Sequence, residues 1–140
     1  LLFIFSLETI KNQKRYVFLE KRFNIILMNF KISHTNLYTL IVSSCEKLDI
    51  NTSSELKSEL VLLNKNGMNN IVLDLSKTLY CDSSGLSSIL IANRLCKDTN
   101  GKFALLGISP KVLKLIQISQ LDKVIQLFEN NEEIENFFAN

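Results

Sequence analysis

Tyr80-Cys81-Asp82-Ser83-Ser84-Gly85-Leu86 joins two unlike patterns. Before it, Asn70-Ile71-Val72-Leu73-Asp74-Leu75 is a short aliphatic run set off by the polar turn from Gly67 to Asn70. Such a run suits a parallel strand covered on both faces. After it, Leu86, Ile89, Leu90 and Leu95 fall close to one helical face, with Ser87, Ser88, Arg94 and Lys97 mostly elsewhere. The spacing predicts a helix from Leu86 to about Lys97. Two adjacent hydroxyls therefore stand where a strand hands over to a helix. A helix N-terminus carries unpaired N–H groups and partial positive charge, so it accommodates an anion or a phosphate. Asp and Ser are also preferred N-caps, worth about 0.5–2 kcal/mol, and capping alone accounts for the same residues.

The rest of the chain repeats this alternation. Asn29-Phe30-Lys31-Ile32-Ser33 alternates polar and apolar, as a half-buried strand does. A polar turn at His34 to Asn36 leads to Leu37–Val42 as its hairpin partner. Asn51-Thr52-Ser53-Ser54-Glu55 has the composition of a helix start, followed by the stripe Leu56, Leu60 and Leu63. Gly67 then supplies a left-handed helix end. Beyond the polar turn at Asp98–Lys102, Phe103-Ala104-Leu105-Leu106-Gly107 reads as another buried strand. Ser109-Pro110 is an N-cap and first-turn pair, and Val112, Leu113 and Ile116 lie on the helix that follows. Val124–Phe128 is a last strand, and Asn131–Phe138 a terminal helix with Glu132 and Glu133 at its positive end. Strands alternating with helices imply an α/β domain with a mostly parallel sheet, an antiparallel hairpin at its start and about four helices.

Asp82-Ser83-Ser84-Gly85-Leu86 after a hydrophobic strand resembles the phosphorylation site of the STAS domain of bacterial anti-sigma factor antagonists. The resemblance covers about Asn29 to Asn140, and the element order is that of the STAS fold. It implies that Ser83, the serine directly after the Asp, is phosphorylated. Asp49 stands where the family has an Asp near that site, in Glu46-Lys47-Leu48-Asp49 in place of Gly-Glu-Leu-Asp. Ser119-Gln120-Leu121 departs again, since the family usually has Gly before that Leu. The resemblance further implies two partners, a serine-kinase anti-sigma factor that supplies the ATP and a serine phosphatase. The partner-binding surface it implies comprises Asp49, Asp82, Ser84, Gly85, Leu86 and Ser87 around Ser83. A second reading from another class is a stand-alone STAS subunit of a membrane complex transporting lipids or anions.

Other functions find little in the residues. A serine nucleophile elbow wants Gly two residues on each side; Ser83 has Gly85 but Cys81, and Ser84 has Asp82 and Leu86. His34, the single histidine, lies in the expected turn far from the serines, and no other base is marked. Gly67, Gly85, Gly101 and Gly107 form no phosphate-cradling run, and no metal-ligand cluster stands out, so neither enzyme activity nor a cofactor is expected.

Length and charge set the frame. The 140 residues allow one domain with a real core. Residues 1–27 hold five basic and two acidic groups, leaving 11 basic and 12 acidic residues in 28–140. The domain is near neutral, with no basic footprint for nucleic acid. Lys11–Arg22 reads as a solvated segment, with a membrane or nucleic-acid arm as the alternative. No apolar run approaches the ~20 residues of a membrane span, and Leu1–Leu7 lacks the basic start of a signal peptide. Cys45, Cys81 and Cys96 are odd in number, without a Cys-x-x-Cys pair, which suits free thiols in a reducing, cytoplasmic setting. The first methionine is Met28, and the charge and periodicity change there. Residues 1–27 are expected to be an extension outside the folded domain, 28–140; the alternative is an extra element packed on it.

Overall fold

The computed structural model describes residues 25–26 and 29–140. Eight strands are numbered in chain order: β1 (Ile25–Ile26), β2 (Phe30–His34), β3 (Thr39–Ser43), β4 (Lys47–Leu48), β5 (Ile71–Asp74), β6 (Tyr80–Cys81), β7 (Phe103–Leu106) and β8 (Gln126–Phe128). The helices are α1 (Ile50–Lys65), α2 (Ser83–Asp98), α3 (Pro110–Ile118) and α4 (Asn131–Ala139). One sheet runs β1-β2-β3-β5-β7-β8, antiparallel over its first three strands and parallel beyond. Among the described residues the chain forms the expected mostly parallel sheet with an antiparallel hairpin and four helices.

Alternating side chains divide the sheet between two cores. Ile32, Ile41, Ile71, Leu73 and Leu105 meet Leu56 and Leu60 of α1, Ile89 and Cys96 of α2, and Val112 and Ile116 of α3. On the other face Val72, Ala104 and Leu106 meet Ile134 and Phe138 of α4. Three helices lie on one face because each right-handed crossover moves the chain one strand onward in the same direction.

The hairpin turn corrects one expectation. His34 belongs to β2, opposite Thr39, and Thr35 to Tyr38 form the turn, closed by Thr35 N–H on the Tyr38 carbonyl at 2.9 Å. The Thr35 hydroxyl also accepts from the Leu37 and Tyr38 amides, a local bond that displaces the turn by one residue. Gly67 has φ +85°, as the end of α1 requires. Where the family usually has Gly, Gln120 takes the same left-handed conformation at φ +61°. Ile25 and Ile26 pair with Ile32 and Lys31, just ahead of the expected domain start at 28. The remainder of the 1–27 segment lies outside the described residues.

Candidate functional site

Two short strands bring two helix starts together. β4 and β6 form a separate parallel pair, with Lys47 opposite Tyr80 and Leu48 opposite Cys81. One residue further along, each chain reaches an Asp that caps a helix. Asp49 caps α1 and Asp82 caps α2. The register therefore brings the two capping residues, Asp49 and Asp82, to the same end of the ladder. The Asp82 amide donates to the Leu48 carbonyl at 3.2 Å, carrying the pairing to the helix start.

Each cap is built locally. The Asp49 carboxylate accepts from the Asn51 and Thr52 amides at 3.0 and 3.3 Å. Its own amide donates to the Thr52 hydroxyl at 2.9 Å, and that hydroxyl donates to the Lys47 carbonyl. These bonds, the Thr52 amide first, hold the Asp49 carboxyl below the usual carboxylate range, helped by Lys47. The cap is thus Asp49 itself, and α1 starts ahead of the expected Asn51–Glu55 group. On α2 the Asp82 carboxylate accepts from the Gly85 amide at 2.9 Å. Helix α2 begins at Ser83, three residues before the expected Leu86, because this cap draws both serines into its first turn.

The residues expected at the surface differ in how they reach it. Ser83 and Ser87 are exposed, whereas Asp82, Ser84 and Leu86 are half-buried. Among the described residues the Ser83 hydroxyl has no intramolecular hydrogen-bond partner. Gly85 is buried, so it shapes the surface from beneath and presents nothing to a partner. A Cβ there would meet the Leu48 carbonyl and lie 2.5 Å from Cys81 Sγ. Burial, with the nearby Asp82 charge second, pushes the Cys81 thiol up to about 12; burial does the same to Cys96. Both stay protonated thiols at neutral pH, and all three cysteines are free. No group of three or more potential metal ligands occurs among the described residues. His34 sits in the opening hairpin, its Nδ1 2.9 Å from Thr39 Oγ1, and takes no part in this site.

Sequence reasoning missed three neighbours. Leu79 and Tyr80 are about half exposed, at 53% and 51%, shortly before Asp82 and Ser83. Their apolar character without a periodic pattern was the available signal. Ile50 is 66% exposed at the adjacent helix start. This end of the domain thus carries the exposed Ser83 hydroxyl, the two capping carboxylates of Asp49 and Asp82, and the exposed apolar side chains of Ile50, Leu79 and Tyr80.

This α/β domain has known relatives. The STAS domain profile matches residues 30–134, and the chain belongs to that family. It is similar to an anti-sigma F factor antagonist of Paenibacillus polymyxa, 30% identical over 92 residues, covering 65% of this chain and 79% of the relative. The anti-sigma-factor antagonist (STAS) domain protein of Planctomyces limnophilus has TM-score 0.72 and 18% identity, over 79% of this chain and 98% of that one. The Bacillus cell fate determinant SpoIIAA in its phosphorylated form has TM-score 0.63 and 22% identity, over 77% and 98%. Among the described residues no helix is long and apolar enough to cross a membrane.

Proposed function

We propose that this chain is an anti-sigma factor antagonist, a phosphorylation-switched binding module rather than an enzyme. It binds a serine-kinase anti-sigma factor while the Ser83 hydroxyl is bare and releases it once phosphorylated, and so regulates sigma-factor-dependent transcription in the cytoplasm. The observation that carries this reading is the exposed, unbonded Ser83 hydroxyl at the first position of α2, directly after the capping Asp82.

The partner supplies ATP. A bond forms between Ser83 Oγ and the γ-phosphorus as the bond to the ADP oxygen breaks, and the serine proton passes to a base of the kinase. A serine phosphatase returns the hydroxyl by hydrolysis with release of inorganic phosphate. The phosphate adds about −1.5 to −2 charge at the head of α2. The helix N-terminus offsets ~0.3–1 kcal/mol of this, so the domain stays folded. A surface on the kinase matched to a neutral hydroxyl beside Asp82 and Asp49 meets new bulk and new negative charge.

A pull-down with mass spectrometry tests this reading, reporting both partner and modified residue. A soluble kinase together with phosphate on Ser83 supports it. Recovery of a transporter ATPase instead, or phosphate on Ser84, overturns it.

A further inference from the structure

Thr78 is fully buried, and all its polar groups are engaged by three different parts of the chain. Its amide donates to the Leu75 carbonyl at 3.0 Å. Its hydroxyl donates to the Cys45 carbonyl at 2.9 Å and lies 3.0 Å from the hydroxyl of Ser43, which is also fully buried. Its carbonyl accepts from the Ser109 hydroxyl at 3.0 Å. Ser109 is the N-cap residue of α3, yet its side chain makes no capping bond. An N-cap hydroxyl turned away from its own helix forgoes a stabilising bond. Here it is directed to the loop that leads to Ser83.

The Thr78 hydroxyl also begins a ladder. From 45–48 to 78–82 the bonds follow in order: Thr78 Oγ1 to the Cys45 carbonyl, then the Leu79 and Tyr80 amides to the Glu46 carbonyl at 2.8 and 3.0 Å, then the Asp82 amide to the Leu48 carbonyl. The main-chain part of this pairing, β4 with β6, is only two residues long. So short a parallel ladder is weak alone. A buried side-chain rung at its start holds both chains where they enter it. The same ladder determines how the starts of α1 and α2 stand relative to each other.

We propose that Thr78 is a positioning residue of the switch. Its buried hydroxyl fixes 79–82 against 45–48 and so presents Ser83, with Asp49 alongside, in one orientation to the kinase. The role toward Ser83 rests on the antagonist reading; the clamp itself does not. Transfer to an acceptor hydroxyl depends steeply on its placement, so a loosened segment lowers turnover more than it lowers binding.

Thr78→Val keeps the side-chain shape and removes the hydroxyl, while Thr78→Ser keeps the hydroxyl. In amide hydrogen exchange on the full chain, Thr78→Val raises the rates of Leu79, Tyr80 and Asp82 about tenfold, leaves Leu73 and Leu105 unchanged, and Thr78→Ser stays within about twofold of wild type. Rates at 79, 80 and 82 within about twofold in Thr78→Val overturn the proposal, as does an equal rise at Leu73 and Leu105. Thr78→Ala, which also removes the hydroxyl and leaves more room around the Cys45 carbonyl, carries the same thresholds if Thr78→Val does not fold. With the kinase recovered in the pull-down, Thr78→Val lowers kcat about tenfold at near-constant KM, and Thr78→Ser restores it. An unchanged kcat, or a change confined to KM, refutes the positioning role. A wild-type chain left unphosphorylated at Ser83 refutes the antagonist reading, and the exchange rates then still decide the clamp.

Discussion

Gly85 packs so closely on the Leu48 carbonyl that no side chain fits between them. This contact joins the head of α2 to the end of β4, and hence the Ser83 half of the site to the Asp49 half. Gly85→Ala would force backbone to move, because the obstructing Leu48 atom is a main-chain oxygen. The expected cost is about 1–3 kcal/mol, typical of overpacking, read as a lower urea midpoint at unchanged slope. An unchanged midpoint would show that the two segments separate freely.

Ser83 is expected to switch binding without altering the fold. At ~6 Å and an effective dielectric of ~20, each unit of like charge facing the partner costs on the order of 3 kcal/mol, roughly a hundredfold in affinity. Ser83→Ala should bind the anti-sigma factor and resist the kinase. Ser83→Asp should bind about a hundredfold more weakly, with an unchanged circular dichroism spectrum. Wild-type affinity in Ser83→Asp counts against the assignment.

The Asp49 cap makes stability depend on acid. Its folded carboxyl titrates below the ordinary value of 3.8, so its contribution is complete above that value. The contribution is lost as pH falls from there through the lower folded value. Asp49→Ala should therefore have a lower melting midpoint at neutral pH, and the gap from wild type should close in acid. A gap that persists unchanged at the lowest pH would show that the carboxylate is not the source.

At the other end of the scale, Tyr38 donates to Glu135 of α4 at 3.0 Å. Burial first, then this bond and the Glu135 charge, push the phenol up from 10.0 to about 12. The fold thus favours the protonated phenol. The associated stability is complete below pH 10 and is lost as pH rises through about 12. Tyr38→Phe should lose stability less steeply than wild type across that interval in thermal melts; parallel slopes would refute the coupling.

Truncation tests the domain boundary. The family match begins at residue 30, and among the described residues both cores are built from residues 30–138. A chain beginning at Met28 is expected to keep nearly the full thermal stability. A loss of several kcal/mol would show that the preceding segment, β1 included, contributes to the core.

Much of this protein was legible locally. Ile71–Leu75 and Phe103–Leu106 announce buried strands through unbroken apolar runs, and Leu56, Leu60 and Leu63 mark one helical face, because burial imposes its period on sequence. Gly67 marks a left-handed turn because only glycine adopts it without strain. Ser83 at a strand-to-helix junction was visible for the same local reasons. β4 and β6 were not, since two residues are too few to display a period of two. Their pairing is decided by partners 33 positions apart, Lys47 with Tyr80 and Leu48 with Cys81. That pairing alone brings the chain ends at Asp49 and Asp82 together, whereas the Asp49 cap itself is closed locally by the Asn51 and Thr52 amides, ahead of the Asn51–Ser54 group that the composition favoured. The hydroxyl of Ser109 shows the same division. Its neighbour Pro110 correctly marks a helix start, but the bond to Thr78 depends on which loops the closed sheet sets side by side. Local chain chemistry thus determined the longer elements and the serine-bearing helix start, while long-range packing decided the short β4–β6 pair and how the two halves of the site meet.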